Sequence, residues 1–472
     1  MKKTFISLFI PVAILISILG PLALSLKETP FVSDTYGRDY RPFELFAFFC
    51  SAFLLIYAAL AVKNSQEKGW ARLAPPLLFV LTAFVYVTIF SEYSLKLGDY
   101  LCYESAAKAI VEGNNIYVGT DYIYPPITAQ AMATVYRAIS ASSSFLGGRT
   151  SSQGVWDGVF FIYQCFQYFL ILALWQLIFL FAGRLRTEPP IAAVMTTLLL
   201  VLNNPLVRTI RHNQTNLWVL DSLLLSFLLV SRNNLLSGLC LSLGIHLKIY
   251  PLVFAVYQVF QKQWKAVASA LAGFLLILIL QIGLFGGWGN WDQFLRFFRT
   301  FPRGIFFRDN SLHSLLYNFI RLGSGVFSRP VSYPALMRLS GIATVLASLL
   351  ILAWFAGRFF RRSRASPPSE GTSLIAANFC DSLALMLLLS PRVWEHHYVF
   401  SLPIIVFAYA SGRGRHLTRL ALAALLMIGL PTVDIFPLSY HRLFGLFMIL
   451  FFPKDTDTAP DRPANCSSRC SS

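Results

Sequence analysis

Acidic side chains are scarce in this sequence. Asp and Glu number 22 among 472 residues, against 39 Lys and Arg, and charged residues of both signs make up 13%. Soluble domains carry about 25% charged and about 45–50% apolar residues; here 56% are hydrophobic and 15% aromatic. That deficit excludes an ordinary soluble enzyme. Cysteines are few as well, and no spacing among the seven reads as a metal site or a disulfide framework. Cys50, Cys165, Cys240 and Cys380 fall in apolar segments, where a free thiol behaves as a small hydrophobe. Cys466 and Cys470 lie in a polar tail, and the ending Cys470-Ser471-Ser472 is too short for a prenylation box. No metal and no cofactor is implied. A repeat of fixed period is missing, and no inverted repeat of the transporter kind is evident.

What is present is apolar sequence in blocks. They run for roughly 17–25 residues, the length of helix that spans a hydrocarbon core about 30 Å thick. The pattern predicts an all-α, polytopic membrane protein with crossings near 4–26, 43–62, 73–91, 155–182, 190–206, 215–231, 266–285, 335–357, 372–390, 398–411, 417–430 and 441–452. Residues 4–26 follow Lys2-Lys3 and imitate a signal peptide, with Ala23-Leu24-Ser25 as a weak cleavage site. The run is longer than the about 7–15 residues of such a segment, so an uncleaved first helix is expected. Residues 235–260 do not fit one crossing. They read as two half-length pieces broken at Lys248-Ile249-Tyr250-Pro251, because proline disfavours helix at the residue before it. Basic residues flank both ends, so a re-entrant or paired short-helix element is expected there. One integral membrane domain covers 1–452, and 453–472 form a flexible polar tail.

The formal charge of +17 raises nucleic acid as a partner, and its distribution answers no. Most of the basic residues stand in short loops, among them Arg184 and Arg186, Lys262 and Lys265, and Arg358, Arg361, Arg362 and Arg364. With these loops on the cytoplasmic side the positive-inside rule accounts for them. The same topology leaves residues 92–154, 286–334 and the turn 390–397 outside.

The first outer segment carries the densest chemistry. Gly98-Asp99 sets a carboxylate at a membrane exit, and Leu101, Ala106, Ala109 and Ile110 recur at helical spacing. They predict a short interfacial helix over 100–112, ended by Gly113. Tyr117, Tyr122 and Tyr124 then lead to Pro125-Pro126, an extended, stiff turn. From spacing alone, Asp99 is either the N-cap of that helix or a catalytic carboxylate.

The stretch GDYLCYESAAKAIVEGNNIY…YPP resembles the first outer loop of the GT87 glycosyltransferases, a GT-C family of polyprenyl-phosphate-sugar-dependent enzymes. Asp99, Tyr103, Ala106-Ala107, Gly113, Tyr117 and Tyr124-Pro125-Pro126 match its pattern, with Ile116 where proline is usual. Asn213-Gln214-Thr215-Asn216 resembles the Gly-Gln-x-Asn step without its glycine, and Lys248-Ile249-Tyr250-Pro251 the Lys-Pro break with proline displaced. Asn310-Ser311-Leu312 and Ser390-Pro391…Trp394…His396-His397 resemble later motifs; the similarity covers roughly 95–410.

The resemblance implies a GT-C-like helical bundle with outer-face loops, in which an aspartate takes the proton from an acceptor hydroxyl as polyprenyl phosphate leaves. Asp99 is the residue that matches. The partners it implies are a polyprenyl-phosphate sugar donor, a lipid or glycan acceptor and the bilayer, with mannose as the favoured sugar. For the departing phosphate the candidates are Lys248, Arg211, Arg392, His396 and His397, with Arg208, His212, Arg303 and Arg308 behind them. Tyr103, Tyr124, Gln214 and Asn310 are expected to line the pocket. Each has a plainer reading. Lys248 can snorkel to an interface, Arg208 and Arg211 can anchor a membrane exit, and Arg303 and Arg308 can cover lipid headgroups. Glu395-His396-His397 can be a solvated turn, or supply two or three ligands where a metal wants three or four. A transporter or flippase of lipid-linked sugars, and a non-catalytic scaffold, remain as other functions. A transporter often sets charge pairs at mid-membrane across repeats, whereas these polar groups gather at one surface.

Overall fold

The computed structural model describes residues 68–451 apart from 94, 146–150, 286–287, 300–304, 307, 327–330, 366–370, 412–414 and 433–434. The expected crossings 4–26 and 43–62, Arg303 and the tail 453–472 lie outside the described residues.

The apolar blocks are helices, as their composition dictates. α1 (Lys68–Tyr93) is followed by α2 (Asp99–Val111) and α3 (Ile127–Phe145), and then by the long α4 (Ser152–Arg184). The chain continues through α5 (Pro189–Val201), α6 (Asn204–Arg211), α7 (Asn216–Leu229), α8 (Asn234–Leu247), α9 (Leu252–Phe260) and α10 (Trp264–Leu284). α11 (Gly289–Arg299), α12 (Leu312–Val326), α13 (Tyr333–Ala365) and α14 (Gly371–Leu389) lead to a short 3-10 helix (Glu395–Ser401). α15 (Leu402–Ser411), α16 (Arg415–Gly429) and α17 (His441–Phe451) close the bundle. The protein is an all-α, multi-pass membrane protein.

Among the described residues α4, α10 and Tyr333–Arg362 of α13 are long and apolar enough to cross a membrane, and the bent pair α5–α6 makes a fourth. Further apolar helices, α7 and α8 among them, have 10–17 residues. α10 and α13 turn most of their apolar surface outward, with Ile279 65% and Leu350 72% exposed. On a soluble protein such a belt would be an interaction patch; here lipid covers it.

Three details differ from the sequence-based expectation. The crossing 190–206 stops at Val201, and the chain bends by 52° into α6. Asn203 starts the new helix by accepting a hydrogen bond from the Leu206 amide (2.9 Å), with Pro205 in its first turn. The segment 92–154, expected outside, holds a second helix, α3, directly after the tyrosine- and proline-rich turn. In α2 the inward face is Tyr100, Tyr103, Ala106, Ala107, Ala109 and Ile110, while Leu101 is exposed. The expected break at 248–251 separates α8 from α9, with Lys248 in extended backbone at the end of α8.

Small and hydroxyl side chains bring the membrane helices together, as they do where hydrocarbon surrounds the bundle and hydrophobicity alone does not drive helices to each other. Ser242 donates to the Ala270 carbonyl (2.6 Å) between α8 and α10, and Ser237 to the Ser226 carbonyl (2.8 Å) between α8 and α7. Tyr86 reaches the Leu200 carbonyl (2.8 Å), fixing α1 on α5. Gly238 is the tightest contact: a Cβ built there stands 2.5 Å from the Ala270 amide. Gly238→Val therefore drives α8 from α10, and we expect a loss of about 1–3 kcal/mol, read as a lower Tm of the purified protein. Gly283→Ala, whose Cβ meets open space, should stay within about 0.5 kcal/mol of wild type. Equal effects from the two would contradict this account of the packing.

Candidate active site

The site begins with a glycine. Gly98 has φ +63°, a left-handed conformation that L side chains rarely adopt, and a Cβ on it would stand 3.0 Å from the His212 carbonyl oxygen. The missing side chain lets the chain press against the α6–α7 corner, where the Asp99 amide donates to the His212 carbonyl (3.1 Å). Asn213 completes the clasp. Its own φ is +53°, and its side-chain amide donates to the carbonyls of Leu95 (2.8 Å) and Leu97 (2.9 Å). From α4, Tyr163 donates to the Asn213 carbonyl (2.5 Å) and Gln167 to that of Gln214 (3.1 Å). Three segments distant in sequence are thereby locked around one carboxylate.

Asp99 does not cap α2. Gly98 holds the cap position without a side-chain bond, and Asp99 is the first helical residue. Its Oδ2 instead accepts hydrogen bonds from the Tyr124 hydroxyl and the Gln214 side-chain amide. Burial raises the Asp99 carboxyl above its ordinary range; Tyr124, Lys248, Gln214 and His212 oppose that rise. The group is thus a carboxylate with elevated basicity, the condition a general base needs.

Lys248 meets the same tyrosine at its ring. Its ammonium lies 5.1 Å from the centre of the Tyr124 ring and 5.8 Å from that of Tyr250, within the reach of a cation–π attraction. It donates to the Asn216 Oδ1 (2.6 Å), which the Tyr250 hydroxyl also approaches (3.3 Å). The Lys248 residue is 4% exposed. A lysine reaching an aqueous interface would show more of its surface, so the snorkelling reading does not describe it.

The 3-10 helix joins this group through its backbone. The His396 carbonyl accepts from the Asn216 side chain (3.0 Å) and from the Thr209 hydroxyl (3.3 Å). The His396 ring lies 6.2 Å from that of His212, and the half-buried His397 ring 6.3 Å from Tyr250. Burial holds both imidazoles well below their usual range, with Lys248 adding to the effect, so both are neutral and available as hydrogen-bond donors.

Glu395 corrects the picture of a solvated turn. It is 9% exposed, and it pairs with Arg208 of α6 at 2.6 Å and Arg442 of α17 at 3.4 Å, with the Thr432 hydroxyl donating to the same carboxylate. Burial pushes its carboxyl up, but Arg442 and Arg208 outweigh it and bring the pKa down to about 2. Arg208 is thereby engaged by Glu395 instead of standing open to a phosphate. The sequence reading missed Arg442, which has no exposed surface; a lone arginine at the head of an apolar run was the available signal.

The remaining expected residues divide. Arg211 is half-buried and makes no hydrogen bond or ion pair with the described residues. Arg392 is half-buried beside the Asp309 carboxylate, on which its charge acts. Tyr103 and Asn310 have no exposed surface. Tyr103 packs edge-on against Tyr124 (5.3 Å), and Asn310 fastens its loop to the turn by donating its amide to the Val393 carbonyl (2.8 Å). Among the described residues no three His, Cys, Asp or Glu side chains converge on a point where a metal ion could sit.

A model of the family described as Glycosyltransferase family 87 matches residues 122–391. A Mycobacterium tuberculosis protein described as a polyprenol-phosphate-mannose-dependent alpha-(1-2)-phosphatidylinositol mannoside mannosyltransferase is 27% identical over 208 residues, 43% of this chain and 44% of the relative. The chain thus spans less than half the length of that relative.

The buried charge triad generates a stability prediction. Glu395→Ala strands two guanidinium groups without their counter-charge, and the expected cost is about 3–5 kcal/mol. Because the folded pKa is depressed from 4.5 to about 2, the contribution of Glu395 is complete above the unfolded value. It is lost as pH falls through that window. Thermal unfolding in detergent between pH 6 and about 2 should show wild-type Tm falling across the window and Glu395→Gln falling less. Parallel profiles would remove Glu395 from this role.

Proposed function

The chain belongs to glycosyltransferase family 87, and from that premise we propose that it transfers a sugar from a polyprenyl-phosphate donor to a hydroxyl of a lipid or glycan acceptor. Mannose is the favoured sugar, because the Mycobacterium tuberculosis relative is described as dependent on polyprenol-phosphate-mannose. The observation that carries the reading is that Asp99 and Lys248 both meet Tyr124, one at its hydroxyl and the other at its ring. Transfer needs a base for the acceptor proton and a cation for the departing phosphate, close together but not neutralising one another by direct contact.

The steps follow from that geometry. The Asp99 carboxylate takes the acceptor hydroxyl proton as its oxygen attacks the anomeric carbon. The bond from that carbon to the phosphate oxygen breaks, and its electron pair leaves with polyprenyl phosphate. Lys248 faces the developing negative charge, supported by the neutral His397 and by Arg211, whose guanidinium is not committed elsewhere among the described residues. Charges fixed in a water-poor site need no reorganisation as the reaction proceeds. Tyr124 and Gln214 hold the Asp99 carboxylate and direct its second oxygen toward the acceptor.

The outer membrane face is supported by the charge distribution. With the basic loops set on the cytoplasmic side, Asp99 and the 395–401 turn fall in loops of the opposite side. The domain reading, one integral membrane unit over 1–452, is consistent with clusters of buried residues that run from Tyr86 to Leu450. The broken α8–α9 element brings Lys248 into the site, as irregular backbone at membrane depth does where it lines a protein cavity.

Asp99→Asn removes the proton acceptor while keeping the shape and the Tyr124 contact. With purified protein, radiolabelled polyprenyl-phosphate mannose and membrane glycolipids, transfer should drop by at least about 10²-fold with Tm unchanged. Full transfer by this variant would end the reading.

A further inference from the structure

Outside the Asp99–Lys248 group, the turn after α2 and the face of α11 line an open-sided cavity of about 520 Å³. Small-molecule sites commonly fall within roughly 300–1,000 Å³. Tyr117, Tyr122 and Phe297 give it flat aromatic walls, and Thr120, Asp121 and Gln293 give it polar ones. Asp121 is exposed, and neither it nor the half-buried Gln293 makes a hydrogen bond with the described residues. Two polar groups with bonding capacity to spare therefore face one hollow.

The chemistry of the walls selects the class of ligand. A phosphate is disfavoured, because Arg296, the one cation among the described lining residues, is paired with Asp292 at 2.7 Å and Asp121 adds negative charge. A lipid tail gains nothing from a carboxylate and an amide. A sugar or cyclitol ring satisfies both kinds of wall: its C–H faces lie against aromatic rings, whose faces are electron-rich, and its hydroxyls take the polar groups.

The cavity lies one layer of tyrosines away from the Asp99 group. The Tyr122 ring is 5.9 Å from that of Tyr124, and the Tyr117 hydroxyl donates to the Tyr124 carbonyl (2.7 Å). Tyr124 itself donates to Asp99. Cys102 of α2 reports the same proximity: burial pushes its thiol up to about 11, and Asp99 and Asp121 both add to the rise. Lys248 meets the Tyr124 ring, and the cavity reaches Tyr124 through its two tyrosine neighbours.

We propose that this cavity is the acceptor-side subsite, holding a hydroxyl-rich ring of the acceptor, with Asp121 and Gln293 bonded to ring hydroxyls and Tyr117 and Phe297 against the ring faces. Its role in transfer rests on the glycosyltransferase reading above; ring binding itself does not. Asp121 and Phe297 set the affinity for the acceptor, and Asp99 acts on the hydroxyl that reaches beyond the tyrosine wall.

The test uses the full chain in a sugar-free detergent, with methyl α-mannopyranoside and myo-inositol as probes read by saturation-transfer NMR. Ring protons of at least one probe should be saturated by wild type. Asp121→Ala and Phe297→Ala should each weaken binding by about tenfold or more, as loss of a charge-assisted hydrogen bond or a stacking face does. Asp99→Asn should bind as wild type does. In the transfer assay Asp121→Ala should raise the acceptor KM about tenfold, leaving kcat and the donor KM unchanged. The milder Asp121→Asn, at an exposed position, together with Tm, separates a binding loss from misfolding. No saturation of either probe, binding indifferent to both variants, or a change confined to the donor KM would each overturn the subsite. Asp121-dependent binding together with full transfer by Asp99→Asn would instead overturn the transferase reading and leave the subsite standing.

Discussion

The backbone contact between the Asp99 amide and the His212 carbonyl, 3.1 Å apart, is what the rest of the site depends on. It sets the first turn of α2 against the corner between α6 and α7. Gly98 makes the approach possible, because any Cβ would meet the carbonyl it must pass. Around this contact Asn213 secures the incoming strand of chain, Gln214 holds the carboxylate, and Tyr163 and Gln167 fix the corner from α4. The carboxylate is consequently a fixed point, and its elevated basicity follows from the burial that the clasp imposes.

A second layer holds the opposite wall. Asn216 takes the Lys248 ammonium on its side-chain oxygen and gives its amide to the His396 carbonyl. One side chain therefore positions the cation and the histidine turn together. Behind it Glu395 ties that turn to α6 through Arg208 and to α17 through Arg442. Buried ion pairs are weak evidence of net stability, since desolvation offsets much of the attraction. Their value here is geometric: three segments are held in one register without apolar packing that would close the cavity.

Much of the fold was legible in the sequence, and the site only partly so. The helices were readable because lipid demands long apolar runs with their backbone bonds satisfied internally. The break at 248–251 was visible through Lys248 and Pro251. α3 escaped notice because, with Gln130, Arg137 and four serines, it is too polar to read as a crossing. Asp99, Gln214, Lys248 and the histidine turn were named from short motifs, and the structure brings them together. Their division of labour was not readable. Glu395 looked like a solvated neighbour of the histidines until its partners Arg208 and Arg442 came from α6 and α17. Tyr103 and Asn310 were named as lining residues, and the structure shows both fully buried. Contacts between residues separated by 115 or 187 positions leave no periodic trace in the chain.

The central claim is that the Asp99 carboxylate, raised by burial and held down by the Tyr124 hydroxyl, is the base of the transfer. The pH dependence of kcat/KM tests it most directly, measured for wild type and Tyr124→Phe with polyprenyl-phosphate mannose as donor. Activity should rise with pH along a limb set by an apparent pKa above the ordinary carboxylate range, because only the deprotonated group accepts a proton. Losing the Tyr124 hydrogen bond, which favours the charged form, should move that limb to higher pH. A wild-type profile without an ascending limb, or a limb that Tyr124→Phe leaves in place or moves to lower pH, would contradict the account.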